Sequence, residues 1–144
     1  MPDQHPANAD CIFCKIVAGK IPSFKLIESE TVLAFMDINP INPGHALAIA
    51  KGHWPDLYAL PEPALKDTIA TARRIAIALR DLLRPAGINL VQANGPGAAQ
   101  SVQHFHIHIV PRRFDDNAKL NWTPRPGDLA KIGELAERIR ATLA

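Results

Sequence analysis

Three histidines alternate with apolar residues in the segment "QHFHIHIVP", at His104, His106 and His108. The chain has only six histidines, so this spacing points to chemistry more than to a solvated strand. In a β-strand, side chains two residues apart share one face and lie about 6.5–7 Å apart. The three imidazoles are therefore predicted to share one face, while the apolar residues between them pack inward against a helix.

Metal binding and nucleophilic catalysis are the two kinds of chemistry that this arrangement could support. Three imidazoles along one strand do not converge easily on one zinc ion, which needs bonds of about 2.0–2.1 Å to nitrogen. A neutral imidazole is a good nucleophile near neutral pH. The flanking histidines could orient the middle ring and donate to developing negative charge. An electrophile such as phosphorus would then give a phosphorus–nitrogen intermediate that water can cleave.

A second pair of reactive side chains is Cys11 and Cys14, spaced C-x-x-C. The chain begins with a polar segment that lacks the basic and apolar regions of a signal peptide. No apolar run approaches the roughly 20 residues that cross a bilayer. We therefore expect a cytoplasmic protein, in which a structural disulfide is not the default. Zinc, redox chemistry and chance remain open, although a redox role lacks the thioredoxin-like βαβ pattern.

Length and charge limit the remaining classes of function. The 144 residues are enough for one domain with a substantial core. A formal net charge of +2 is too small to indicate nucleic acid binding. We expect residues 1–10 to form a flexible N-terminal tail and residues 11–144 to form a single domain.

Hydrophobic periodicity predicts the elements that position these residues. Two short strands flank a turn near residues 29–30, and further strands cover residues 45–51, "GINLVQAN" and "HFHIHIV". A long helix over residues 62–84 is predicted from the stripe Leu65, Ile69, Ala72, Ile75, Ala76, Leu79, Leu82 and Leu83. A last helix at about 128–143, capped by Asp128, carries Leu129, Ile132, Leu135, Ala136, Ile139 and Leu143. The chain is thus predicted to be an α+β domain whose mainly antiparallel sheet packs with one long helix and a C-terminal helix.

The segment "HFHIHIV" fits the pattern His-φ-His-φ-His-φ-φ, where φ is apolar, and so resembles the histidine triad (HIT) superfamily of nucleotide hydrolases and transferases. The likeness runs from about Cys11 to Arg113 and includes "CIFCKIVAGKIPS", "LAFMDINPINPGHALAIAKGHW" and "AAQSVQHFHIHIVPR". It implies a HIT-like fold with a five-stranded antiparallel sheet, usually as a homodimer. Transferases of this superfamily carry Gln at the third triad position, where this chain has His108, so hydrolysis is favoured.

The resemblance also implies a reaction and a set of site residues. The substrate would be a purine nucleotide conjugate, with adenine expected, either a nucleoside phosphoramidate or a dinucleoside polyphosphate. His106 would attack the α-phosphorus and form a nucleotidyl-histidine intermediate, and the catalytic group would be completed by His108, His45 and Ser101. Asp37 would hold the ribose hydroxyls. The base cleft and the phosphate pocket would be formed by Phe13, Ile16, Ile38, Asn94, Gln100, Ser101 and Val102.

The same resemblance implies a structural zinc ion and no catalytic metal. The implied zinc ligands are Cys11, Cys14, His53 and His104. Two alternatives stay open, a nucleotide-binding regulatory protein with little turnover and a zinc-dependent hydrolase whose chemistry chelation would stop without unfolding. Two departures bear on substrate choice: the chain has Ala98-Ala99 where many relatives carry glycine, and it continues beyond Trp122 into a further helix.

Overall fold

The structure is a computed structural model that describes residues 7–144, so residues 1–6 of the expected N-terminal tail lie outside the described residues. Within residues 7–144 it contains five strands and three α-helices. In chain order these are α1 (Ile12–Val17), β1 (Lys25–Glu28), β2 (Val32–Met36), β3 (Ala46–Ala50), α2 (Glu62–Leu83), β4 (Gly87–Val91), β5 (His106–Arg112) and α3 (Leu129–Leu143).

The strands form one antiparallel sheet in the order β1-β2-β3-β5-β4. This confirms the expected α+β fold with a five-stranded antiparallel sheet. The triad strand β5 lies between β3 and β4, and His106 and His108 pair with Ile49 and Leu47 of β3. Because β5 is not an edge strand, its backbone is held by hydrogen bonds on both sides.

The two faces of the sheet are covered by different helices. The α2 face contains the core cluster that includes Ala72, Ile75, Leu79, Phe105, Ile107 and Ile109. This confirms that the apolar residues between the histidines pack inward against a helix. On the opposite face, α1 packs Phe13, Cys14 and Ile16 against the sheet. The alternation of β5 therefore places His106 and His108 on the α1 face.

The buried face of α2 differs from the predicted stripe. Three residues expected in the stripe are between 41% and 80% exposed, namely Ile69, Leu82 and Leu83. Thr68 and Thr71 are buried instead. Their hydroxyls donate to the carbonyls four residues earlier, at 2.7 and 2.9 Å. The predicted stripe contains only apolar residues and so left these two threonines out. Each hydroxyl is satisfied within the helix, so the methyl group can pack in the core.

The C-terminal helix begins where it was predicted. Asp128 accepts hydrogen bonds from the backbone amides of Ala130 (3.0 Å) and Lys131 (3.2 Å), as a helix cap does. However, no residue of α3, from 129 to 143, is buried, so its apolar stripe faces outward in the single chain. Within residues 7–144, no helix combines the length and apolarity needed to cross a bilayer.

Candidate active site

The three triad histidines belong to two different clusters, with His104 just before β5 and His106 and His108 within it. His104 directs Nδ1 towards the two cysteines, at 3.4 and 3.5 Å from their sulfur atoms. His106 and His108 lie together, with ring centroids 4.9 Å apart. His108 also contacts His45, whose Nε2 lies 2.9 Å from His108 Nδ1.

The His106 ring is held in one tautomer by the backbone. Its Nδ1 lies 2.7 Å from the carbonyl oxygen of His104. A carbonyl oxygen only accepts, so Nδ1 carries the proton and Nε2 keeps a free lone pair. Phe13 packs edge-on against the ring, with centroids 5.1 Å apart. Burial lowers the pKa of His106, against a smaller upward effect of the bond to His104, so the ring is neutral near neutral pH.

A second backbone contact fixes the tautomers of His45 and His108. The Ile41 amide donates to His45 Nδ1 at 3.0 Å, so neutral His45 carries its proton on Nε2. That proton faces His108 Nδ1 at 2.9 Å, and His108 in turn carries its own proton on Nε2. Burial, reinforced by His106 and His45, lowers the pKa of His108 to about 4. Burial also lowers the pKa of His45, although Asp37 opposes the shift.

Asp37 lies beside His45, with Oδ2 3.5 Å from His45 Nε2. Its Oδ1 accepts from the Asn39 amide at 2.7 Å. Asp37, His45 and His108 have the spacing of a possible metal site. A metal on His45 Nε2 would need the ring proton moved to Nδ1, where the Ile41 amide already donates. This group is therefore better suited to hydrogen bonding than to metal binding.

The four side chains expected to bind zinc converge on one point. The Nδ1 atoms of His53 and His104 are 3.3 Å apart, and the sulfur of Cys14 lies 3.3 and 3.5 Å from them. The sulfur of Cys11 lies 3.4 Å from His104 Nδ1. A tetrahedral zinc ion with bonds of about 2.3 Å to sulfur and 2.0–2.1 Å to nitrogen has ligand–ligand edges of about 3.3–3.8 Å. The four distances above fall in or close to this range, and all four donor atoms lie within 4.8 Å of one another, so the cluster suits a tetrahedral zinc ion.

The protonation of this cluster also fits zinc. His104 Nε2 lies 2.6 Å from the Ala50 carbonyl and donates to it, which leaves a lone pair on Nδ1. Burial lowers the pKa of His104 to about 4, so the ring is neutral and able to bind a metal. Cys11 and Cys14 are buried free thiols. A Cys₂His₂ set occupies all four positions around zinc, as in structural sites.

Gln100 and Asn94, two of the expected pocket residues, use their side-chain amides to bond backbone groups of the loops near β5. Gln100 accepts from the Gly95 amide at 2.8 Å and donates to the Pro55 and Val102 carbonyls at 2.6 and 3.0 Å. Asn94 Oδ1 similarly accepts from the Leu57 amide at 2.8 Å. These amides brace the loop, so their direct contact with phosphate remains a prediction.

The apolar and hydroxyl residues expected in the pocket occupy different depths. Phe13 and Ile16 are buried beneath the surface, whereas Ile38 is 76% exposed. Ser101 and Val102 line a cleft of about 350 Å³ beside the metal-ligand cluster. The structure thus brings His45, His106 and His108 together, while Ser101 lines a cleft that Cys11 and His53 also line.

Ala99 adopts the left-handed backbone conformation that glycine favours, with φ 59° and ψ 37°. This conformation costs an alanine about 1–2 kcal/mol, and part of that is offset by the greater chain entropy of glycine. Ala99→Gly is therefore expected to stabilise the protein by about 0.5–1 kcal/mol in urea denaturation. Ala98→Gly, one residue earlier in the 3-10 turn Pro96–Ala98, should show no gain. An equal response of both variants would contradict this prediction.

Gly44 shapes the turn directly before His45. Its φ is +95°, and an added Cβ would lie 2.7 Å from Leu83 Cδ1 and 3.1 Å from Pro111 Cγ. Gly44→Ala is expected to cost about 2–4 kcal/mol, since the positive φ and the overlap both oppose it. Urea denaturation should show the loss. The control Gly133→Ala, in α3 with open space around its Cβ, should be neutral or stabilising, and a matching loss there would contradict the explanation.

A buried polar group behind the site was not predicted from the sequence. We call Asn42, Arg112 and Asp116 the Asp116 hub. Arg112 Nε and Asn42 Nδ2 both donate to Asp116 Oδ2, at 2.8 Å each. Arg112 beside it holds the pKa of the Asp116 carboxyl well below its usual range. The sequence signal was an Arg and an Asp four residues apart, which is ordinary on a protein surface.

Comparisons with known proteins show which family this chain resembles. The adenosine 5′-monophosphoramidase of Saccharomyces cerevisiae is 40% identical over 141 residues, covering 96% of this chain and 87% of that protein. The crystal structure of a histidine triad nucleotide-binding protein from Candida albicans is 36% identical, with a TM-score of 0.84 and coverage of 93% and 97% of the two chains.

A third relative is described as zinc-bound. The crystal structure of a zinc-bound histidine triad family protein from Mycobacterium smegmatis is 38% identical, has a TM-score of 0.71 and covers 93% of this chain and 95% of that one. The HIT domain family itself matches residues 18–115. With the triad geometry and these relatives together, the chain belongs to the HIT family.

Proposed function

We propose that this protein hydrolyses purine nucleotide conjugates at the α-phosphorus through a nucleotidyl intermediate on His106. The observation that carries the proposal is the pair of tautomers fixed at neighbouring rings. His106 Nδ1 is bonded to a carbonyl, which leaves Nε2 as an electron-pair donor. His108 Nδ1 faces the His45 Nε2–H, which leaves His108 Nε2–H as a proton donor. A nucleophile and a donor 4.9 Å apart by ring centroids suit displacement at phosphorus.

The relatives support the coarser part of this function. The Saccharomyces relative is named adenosine 5′-monophosphoramidase, and the Candida structure is of a nucleotide-binding protein. Alignment with the phosphoramidase extends over 96% of this chain. The protein is accordingly an enzyme of the HIT family that acts on nucleotides. The adenine base and the choice between a phosphoramidate and a dinucleoside polyphosphate are part of the proposal.

The proposed reaction has two displacements at phosphorus. His106 Nε2 attacks the α-phosphorus while the bond from phosphorus to the leaving group breaks, and the leaving group takes up a proton. Water then attacks the same phosphorus, the bond to His106 breaks and a nucleoside monophosphate is released. His108 Nε2–H would stabilise charge on the phosphoryl oxygens, as positioned donors do in phosphoryl transfer.

The remaining site assignments belong to the same proposal. Asp37, whose side chain is 17% exposed, would accept hydrogen bonds from the ribose hydroxyls. Phe13 and Ile16 would form the floor of the base cleft and Ile38 its exposed rim. Asn94, Gln100, Ser101 and Val102 would shape the phosphate loop, and Ser101 would assist departure of the leaving group.

The metal, the assembly and the location complete the proposal. Cys11, Cys14, His53 and His104 would hold a zinc ion that supplies structural cross-linking and takes no part in the steps above. We also propose a homodimer and a cytoplasmic location, where the paired free thiols stay reduced for metal binding.

A covalent trap tests this function. The protein is incubated separately with adenosine 5′-phosphoramidate and with a diadenosine polyphosphate, quenched within seconds and examined by intact mass. We expect one added adenylyl group that is lost in acid on longer standing, together with release of AMP. His106→Ala, treated in the same way, should gain no mass. If the wild type releases no AMP and gains no adduct from either substrate class, the site serves nucleotide binding and the hydrolase proposal fails.

A further inference from the structure

The loop of residues 37–45, which carries His45, is attached to the end of β5 by one buried side chain. Asn42 is 5% exposed. Its Nδ2 donates to the Pro111 carbonyl at 2.9 Å and to Asp116 Oδ2 at 2.8 Å. Both protons of the amide group are therefore engaged. An alanine here would leave two buried acceptors without this donor, and unmet buried groups are costly.

The same loop determines how His45 is held. The His45 amide donates to the Asn42 carbonyl at 3.1 Å, and the Ile41 amide donates to His45 Nδ1 at 3.0 Å. The second bond is the one that forces the His45 proton onto Nε2 and so towards His108. The side chain of Asn42 is bonded to Asp116. Its carbonyl accepts one of these two backbone bonds, and its chain neighbour Ile41 donates the other. Because Ile41 is the chain neighbour of Asn42, we expect a shift of Asn42 to move the amide that selects the tautomer.

Asp116 is the point at which several parts of the chain meet. Its carboxylate accepts from Arg112 Nε and Nη2 at 2.8 and 3.1 Å, and from the Arg113 and Ala118 amides at 3.0 Å each. Arg112 also donates to Asn89 of β4 at 2.8 Å. The side chains of Arg112 and Asp116 are only 12% and 2% exposed. Such a fully bonded, buried carboxylate holds its partners in one geometry.

We propose that Asn42 and Asp116 are positioning residues for the hydrogen bond between His45 and His108 in the active site. By fixing the loop, they hold the Ile41 amide on His45 Nδ1, which sets the tautomer of His45 and, through it, that of His108. They touch neither substrate nor the reacting atoms. The kinetic consequence rests on the proposed function, whereas the tautomers can be measured without it.

A matched pair of aspartates separates this role from a change in surface charge. Asp116→Asn removes the buried carboxylate. Asp115→Asn makes the same chemical change one residue earlier, where the side chain is 88% exposed and its oxygen lies 3.6 Å from Arg113 Nε. Asn42→Ala serves as a second variant, since it keeps the Arg112–Asp116 pair and removes only the link to the loop.

The test combines a tautomer measurement with kinetics. Two-dimensional ¹H–¹⁵N spectra of the imidazoles should show the proton of His45 on Nε2 in the wild type and in Asp115→Asn. In Asp116→Asn and Asn42→Ala a second form with the proton on Nδ1 should appear. With adenosine 5′-phosphoramidate, kcat should fall between about 10- and 100-fold in these two variants while KM changes little.

The outcomes distinguish the two proposals. Folded Asn42→Ala with wild-type tautomers and wild-type kcat would overturn the positioning role and leave the hub as a purely structural feature. If Asp116→Asn unfolds, Asn42→Ala decides, because its ion pair is intact. If the wild type has no turnover but the tautomers change as described, the proposed function fails and the positioning role stands.

Discussion

His106→Ala loses turnover by at least about 10³-fold while it keeps its fold and its affinity for nucleotide, because alanine lacks the attacking atom. His106 Nε2 is the imidazole nitrogen left with a free lone pair by the bond from Nδ1 to the His104 carbonyl. The affinity is expected to survive because ribose and base contacts are assigned to other residues. Removal of the ring leaves the His104 carbonyl without its donor, which costs about 1–3 kcal/mol of stability.

Steady-state release of AMP measures the first quantity, and titration with AMP measures the second. His106→Gly provides the matched control, because it leaves a space the size of imidazole. Added imidazole should restore part of the turnover in His106→Gly and none in His106→Leu, where the space is filled. Wild-type turnover in His106→Ala would end the assignment of the nucleophile.

The sequence predicted the fold where a single local pattern decides the structure. Alternation in β5 placed Ile107 and Ile109 in the core and the histidines on the other face, and Asp128 marked the start of α3 within one residue. It was only partly right for α2: Ala72, Ile75 and Leu79 of the stripe are buried, but Thr68 is fully buried and Ile69 is 41% exposed. A helix turns by about 100° per residue, so a one-residue error in the stripe exposes a different face.

The sequence indicated which residues to group in the candidate site but not the bonds between them. His45 and His108 are 63 residues apart, and only the pairing of β3 with β5 brings them together. The tautomers depend on backbone groups, the Ile41 amide and the His104 carbonyl, which no residue type signals. Asn42 and Asp116 were missed for the same reason: a turn asparagine and a charged residue beyond a strand look ordinary until both are buried.

Zinc is expected to raise the melting temperature strongly and to affect catalysis less. A ligand that binds only the folded state stabilises it by RT ln(1 + [L]/Kd), about 4 kcal/mol at a thousandfold excess over Kd. For a domain of this size that corresponds to a shift on the order of 10 °C. The cluster joins α1 to the segment before β5, through Cys14 and His104 at 3.5 Å. The sheet core around α2 does not depend on that link, so the metal-free protein should stay folded at room temperature.

Thermal unfolding at a series of buffered free zinc concentrations measures this effect, and metal analysis of the purified protein gives the stoichiometry. Cys14→Ser, which weakens the donor set, should melt lower and respond less to zinc. Metal-free protein that is still folded should keep most of its turnover, because His106 and His108 are held by bonds to backbone and to His45. Immediate loss of activity on chelation without any change in fold would indicate a zinc-dependent hydrolase. Purified protein without zinc, and with a melting temperature that zinc does not change, would contradict the structural site.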